Sequence, residues 1–256
     1  MMAEKAPEGD LLALQETLYT SRNPTRRWLH CNRRDWIIQA IKQYSSNNPG
    51  KALEVGPGSG VYLPALAGLF QEVVATDIEE TYLEHAKSIT ALYSNLRLEV
   101  DDIMASRLLD GYFDLVLCTE VIEHLRDSQT ALKEIHRLLK PSGVLILSTP
   151  QRYSTMELAA KVAFLPGVVN IVRSIYQEPV LEMGHINLMT AREVIRQVER
   201  AGFYIIDRVK SGMYLPLIAE SMGTIGLRLA QWLEYRLKES PLDGVLWTQY
   251  YVAKAE

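Results

Sequence analysis

Between residues 51 and 149 five short runs rich in aliphatic and β-branched residues, KALEV, EVVATD, LRLEV, FDLVLC and VLILST, alternate with longer segments of helical apolar spacing. Strands separated by helix-length connections pair in parallel, and the intervening helices cover both faces of the sheet. The clearest helix starts after Asp127, an N-cap, and carries Leu132, Ile135, Leu138 and Leu139 on one face. It stops at Lys140-Pro141-Ser142-Gly143, and a fifth strand is expected over 144–149. Two further runs, FYIIDRV (203–209) and VLWTQYYVA (245–253), read as the last strands. The expected fold class is therefore α/β with a doubly wound sheet.

Three helical additions surround this core, and none is set off by a Gly/Ser linker or an internal repeat. Residues 1–49 read as an N-terminal cap, helical over 10–48 and broken at Asn47-Asn48-Pro49-Gly50. Residues 50–256 read as one domain with helical insertions at about 154–183 and 213–240. The first carries Leu158, Val162, Val168, Val169, Val172 and Ile175, and the second is a long apolar-faced helix over 214–237.

With 256 residues, 48% hydrophobic and 23% charged, the chain can build an ordinary hydrophobic core. Its 27 Lys and Arg against 31 Asp and Glu leave a net charge of −4, which argues against nucleic acid as a partner gripped by the whole surface. Two cysteines, Cys31 and Cys118, are too few for a disulfide framework, so a reducing, cytoplasmic setting is expected. The start, MMAEKAPEGD, lacks the cationic and apolar regions of a secretory signal. The apolar stretch AFLPGVVNIV (163–172) falls short of the ~20 residues of a spanning helix, leaving peripheral membrane contact as the expectation.

The first strand leads into Glu54-Val55-Gly56-Pro57-Gly58-Ser59-Gly60 and then a helical stretch near Val61. Strand, glycine turn and helix start form a ligand cradle, because glycine lets the backbone approach a ligand that the helix's unpaired N–H groups face. Asp77 ends the second strand, 21 positions beyond Gly56, where a carboxylate can take both hydroxyls of a ribose. The spacing G-x-G-x-G lacks the third glycine of a dinucleotide fingerprint, which favours a nucleoside without a diphosphate. A tight βα turn with incidental glycines is the plain alternative. Asp102-Ile103 is placed to meet an adenine, and Cys118-Thr119 to border the ligand's far end.

Taken in order, EVGPGSG, VVATD, VDDI, FDLVLCTEVIEHL and LKEIHRLLKPSGVLILSTP resemble the motifs of class I S-adenosylmethionine-dependent methyltransferases. The resemblance covers about residues 50–210. It implies a Rossmann-like seven-stranded sheet, mostly parallel with an antiparallel last strand, and S-adenosylmethionine as methyl donor across the carboxyl ends of the first strands. Glu54, Gly56, Gly58, Gly60, Asp77 with Ile78, Asp102, Ile103 and Cys118 match its donor-binding positions.

Within TEVIEHL, Glu120, Glu123 and His124 stand at i, i+3 and i+4 and share one face if this turn is helical. Two carboxylates and an imidazole suit Mg²⁺ or Mn²⁺, and His185 could complete the set. This run resembles those of two metal-dependent O-methyltransferase groups, one acting on ubiquinone precursors and one on the terminal ribose of small RNAs. Without a metal, His124 or His185 becomes the candidate general base, or His124 simply bonds locally.

Five arginines, Arg22, Arg26, Arg27, Arg33 and Arg34, crowd the cap around Trp28, His30 and Trp36. They form either an anion patch, one arginine meeting the donor's carboxylate with Trp28 or His30 beside it, or a solvated helix face. The first insertion is apolar, as in ubiquinone-type relatives, but Lys161 and Arg173 are its only cations between 154 and 176. The expected reaction is methyl transfer to a small-molecule or lipid-like acceptor, at oxygen. A metal-free C- or N-methyltransferase on a hydrophobic metabolite, and a donor-binding protein without turnover, stay open.

Overall fold

The computed structural model describes residues 18–45, 50–163 and 184–256. The expected start of the cap helix and the positions Val168, Val169, Val172 and Ile175 lie outside these residues. Along the chain run α1 (Pro24–Tyr44), β1 (Lys51–Val55), α2 (Leu63–Leu69), β2 (Glu72–Asp77), α3 (Glu80–Thr90), β3 (Leu96–Val100) and β4 (Phe113–Thr119). A 3₁₀ turn (Ile122–His124) leads to α4 (Ser128–Leu138), β5 (Leu139–Pro150), α5 (Thr155–Ala163), α6 (Ala191–Arg200), β6 (Phe203–Ser211), α7 (Pro216–Leu237) and β7 (Thr248–Ala255).

The strands form one seven-stranded sheet in the order β3-β2-β1-β4-β5-β7-β6. All pairs from β3 to β5 are parallel, and β7 runs antiparallel between β5 and β6, with Leu147 opposite Tyr251 and Val209 opposite Tyr250. This is the Rossmann-like mixed sheet the motifs imply. Its strand order reverses between β1 and β4, and such a switch point opens a crevice at the strands' carboxyl ends.

Because side chains alternate along a strand, the sheet feeds two cores. On one face Leu53, Val74, Val116 and Cys118 pack with Leu132 and Ile135 of α4 and Val194 and Val198 of α6. On the other Ala52, Val73, Leu115 and Leu117 pack with Ile37 and Ile41 of α1 and Leu63 and Leu66 of α2. Burial on both faces explains why these strands read as continuous apolar runs. Among the described residues of the N-terminal cap, α1 is one long helix that seals a sheet face.

Local signals set the helix boundaries. Asp127 accepts a hydrogen bond from Thr130 N and caps α4 as expected, and Thr190 and Glu193 form a capping box that starts α6. Three expectations shift. Strand β5 begins at Leu139, because Phe113 pairs with Leu139 ahead of the irregularity between Phe113 and Leu115. The last strand begins at Thr248, since residues 243–245 form a 3₁₀ turn. The long helix α7 is broken at Gly223, whose φ of 48° and ψ of −120° lie outside helical space.

Candidate active site at the carboxyl ends of the strands

The glycine loop turns sharply at the end of β1. Gly56, Gly58 and Gly60 have φ of 68°, 51° and 72°, the left-handed region that other residues enter at a cost of ~1–2 kcal/mol. A Cβ on Gly60 would sit 2.6 Å from Ile89 Cδ1, and one on Gly56 would sit 2.6 Å from Val121 Cγ2. The second contact places the segment that follows β4 directly against the loop.

Beneath it lies Glu54, 1% exposed, with neither carboxylate oxygen partnered among the described residues. Burial pushes its pKa up to about 8. An unpartnered buried acid beside a glycine turn suits a cationic group, and S-adenosylmethionine carries an ammonium. Asp77 ends β2 with one oxygen accepting from Glu79 N at 3.3 Å, and burial raises its carboxyl above the usual range. Ile78 beside it is 58% exposed, an open apolar face next to the carboxylate. Asp102 accepts from Met104 N at 2.9 Å, which fixes the turn after β3, while Ile103 packs inward. The Cys118 thiol points into the core, where burial raises its pKa, so this position presents backbone rather than sulfur to the crevice.

The expected ligand set of Glu120, Glu123 and His124 does not assemble. Glu120 has a φ of 55° and stands before the 3₁₀ turn, so the chain bends between it and Glu123 and the two share no helical face. Its carboxylate is taken by Arg33 Nη1 at 2.6 Å and by the Ser148 hydroxyl at 2.8 Å. Glu120 is therefore a clasp between the cap and the sheet, not a member of the histidine cluster. A bulky residue held at positive φ marks stored strain, and such positions concentrate at functional sites.

Glu123, His124 and His185 do come together, with ligand-type atoms all within 4.8 Å of one another. Glu123 is fully buried; Oε2 accepts from the Thr149 hydroxyl at 3.0 Å and Oε1 has no partner among the described residues. Burial, then Glu120, raises its pKa well above the carboxylate range. The rings of His124 and His185 lie 5.1 Å apart. His124 Nδ1 is 3.4 Å from the Gly184 carbonyl, and burial, then His185, lowers its pKa. His185 is delivered because Ile186 N and Asn187 N both donate to the Glu123 carbonyl, at 3.0 and 2.9 Å. Its Nδ1 meets Glu157 Oε1 of α5 at 3.2 Å. No spacing rule ties residue 157 to residue 185, so sequence reasoning missed Glu157.

The arginines divide between pairing and solvent. Arg33 also meets His30 Nδ1 at 3.2 Å and lies 5.1 Å over the Trp247 ring, and burial together with that arginine keeps His30 neutral. Arg26 pairs with Glu220 of α7 at 2.8 Å, Arg27 donates to the Ser21 carbonyl, and Arg34 pairs with Asp35. Arg26 and Arg33 thus tie the cap to α7 and to the residue after β4, so the five arginines form neither one anion patch nor one solvated face.

The seven-stranded sheet, the glycine turn after β1 and the carboxylate that ends β2 define a Rossmann-like protein. The methyltransferase domain family model matches residues 26–208, and the chain belongs to this family of class I S-adenosylmethionine-dependent methyltransferases. A protein of Mycolicibacterium smegmatis named as a probable S-adenosylmethionine-dependent methyltransferase is 28% identical over 155 residues, 60% of this chain and 52% of that one. The mitochondrial ubiquinone biosynthesis O-methyltransferase of Schizosaccharomyces pombe is 27% identical over 214 residues, 79% of this chain and 73% of that one. The chain spans about half the length of the first curated relatives it matches. The [4+2]-cyclase SpnF superposes with a TM-score of 0.58 at 16% identity, covering 86% of this chain and 80% of that chain. That a cyclase shares the architecture shows why activity must be argued from the site.

Proposed function

We propose that this protein transfers a methyl group from S-adenosylmethionine to a hydroxyl oxygen of a small-molecule or lipid-like acceptor, with assistance from a divalent metal. The observation that supports this reading is the close approach of Val121 to Gly56, because Val121 lies two residues before Glu123, which clusters with His124 and His185. The ubiquinone O-methyltransferases among the relatives point to the same acceptor class.

The acceptor oxygen would attack the donor's sulfonium methyl in line, the O–C bond forming as the C–S bond breaks, with S-adenosylhomocysteine as the leaving group and the hydroxyl proton passing to a base. Asp77 would take the ribose hydroxyls, Ile78 the adenine face, Asp102 the adenine's exocyclic amine and Glu54 the ammonium. The main chain of the glycine loop lets the ligand close in. Held in this way, the two reactants gain from positioning, which can represent ~7–11 kcal/mol of barrier. A divalent ion, when bound, lowers the pKa of the acceptor hydroxyl. Glu123, His124 and His185 would hold it, and the unpartnered Glu123 Oε1 fits that role. On the acceptor side, Tyr153, Leu158 and Val162 stay exposed on and beside α5, the helix that carries Glu157, which suits a hydrophobic substrate.

A second reading has one specific support. His124 is held neutral by burial and by His185, so it can accept a proton with no ion present. Incubation with methyl-labelled S-adenosylmethionine and a panel of catechols, aliphatic amines and short RNAs tests the proposal. Label in a catechol ether that disappears in chelator supports it. Label in amine alone, or no label in any acceptor, refutes O-methylation, and catechol ether formed equally in chelator leaves His124 as the base.

A further inference from the structure

Building on the metal-assisted reading, we infer that the cluster is a two-imidazole, one-carboxylate site that prefers Mn²⁺, Fe²⁺, Co²⁺ or Zn²⁺ to Mg²⁺, with Glu157 as the positioning carboxylate that orients His185.

The second carboxylate of the motif is spent elsewhere. Glu120 is held by Arg33 and Ser148, so the donors within reach of one another are one carboxylate and two imidazoles. Both rings present the same edge. Nδ1 of His124 faces the Gly184 carbonyl and Nδ1 of His185 faces the Glu157 carboxylate, and each of these oxygens accepts from an Nδ1–H. An imidazole that donates from Nδ1 in this way has Nε2 left to ligate an ion. The Glu123 oxygen, buried and without a partner among the described residues, is the third donor. Mg²⁺ favours an octahedron of oxygens and parts reluctantly with its waters, whereas imidazole suits the later first-row ions. Three protein donors leave positions open, as in catalytic rather than structural sites.

Glu157 completes the arrangement from outside the donor set. It is 7% exposed and sits on α5, and both side chains of its contact with His185 are 9% exposed. A carboxylate on the far nitrogen of a ligating histidine fixes its tautomer and ring plane, and losing one typically weakens metal affinity 10–100-fold.

The test is titration of chelator-stripped protein with Co²⁺, read by visible absorption, followed by competition with Mg²⁺ and Zn²⁺. S-adenosylhomocysteine binding, which uses the glycine cradle, checks in parallel that each preparation is folded. The expected result is saturable Co²⁺ absorption at one site per chain, displaced by Zn²⁺ but not by millimolar Mg²⁺. His185→Ala should abolish it, and Glu157→Gln should weaken it about 10–100-fold. Displacement of Co²⁺ by Mg²⁺ at comparable concentration would overturn the selectivity and leave the metal-assisted reading standing. An unchanged Co²⁺ affinity in Glu157→Gln would remove the positioning role. No Co²⁺ or Mg²⁺ binding by wild-type protein that takes up S-adenosylhomocysteine would remove the metal from both readings.

Discussion

The glycine loop at Gly56 lies against Val121, two residues before Glu123 of the histidine cluster, yet cradle and cluster are built in opposite ways. The cradle is local. Its glycines lie within five residues, Glu54 is two residues ahead of them, Asp77 ends the next strand and Asp102 follows the end of the one after by two residues. The histidine cluster and its clasp are assembled across the chain: Arg33 reaches Glu120 over 87 positions, and His124 meets the Gly184 carbonyl over 60. A site made from strand ends inherits its geometry from the sheet register. A site made from distant segments depends on the contacts that bring them together, here the two amides that bond the Glu123 carbonyl. Substrate variety is then easiest to change on the second side, while the first stays fixed by the fold.

If that contrast holds, damage to the two sides should separate. The largest effect is expected from Arg33→Met, which leaves Glu120 with its charge partner removed. Arg33 is 12% exposed and Glu120 22%, so stability should fall by ~3 kcal/mol, the low end for breaking a buried pair. Urea unfolding checks this, and a double-mutant cycle with Glu120→Gln should show coupling; additive losses would mean the clasp is only apparent. Next is Asp77→Ala. S-adenosylhomocysteine affinity should drop about 10–100-fold, the range for hydrogen bonds to a charged group, while urea stability stays within ~0.5 kcal/mol. A stability loss as large as the affinity loss would make Asp77 structural.

Gly56→Ala joins the two sides. Its φ of 68° carries ~1–2 kcal/mol of strain for alanine, and the added methyl would displace Val121. Both donor and Co²⁺ affinity should fall in this variant, and an effect on the donor alone would break the link between the sites. The last expected effect is a pH slope, spread over several pH units. The Glu54 pKa is raised to about 8 in the folded chain, so between the ordinary carboxylate range and pH 8 the folded state holds a proton the unfolded state lacks. Its contribution to stability is complete at acidic pH and is lost as pH rises toward 8. Thermal melts of ligand-free protein should show this decline, and Glu54→Gln should flatten it; an unchanged slope would assign it to other groups.

The same contrast explains what the sequence disclosed. Strand alternation, the Asp127 cap, the glycine loop and the Asp77 position are local patterns, and the seven-stranded sheet with its antiparallel β7 follows the motif order. The cluster was half legible. Glu123, His124 and His185 meet, but the helical spacing that included Glu120 assumed a continuous turn, and a left-handed residue bends the chain there. Glu157 and the Arg33 clasp carry no local signature, because burial and pairing over long separations decide them. The arginine-rich cap shows the same limit, since charge density alone did not reveal that Arg26 is paired to α7.

Equilibrium dialysis of S-adenosylhomocysteine against the wild-type chain and Asp77→Ala weighs the account most directly. Saturable uptake of one ligand per chain, weakened at least tenfold by the substitution, is the predicted result. No uptake by the wild-type chain, or equal uptake by both proteins, would contradict a nucleoside held at the ends of β1 and β2.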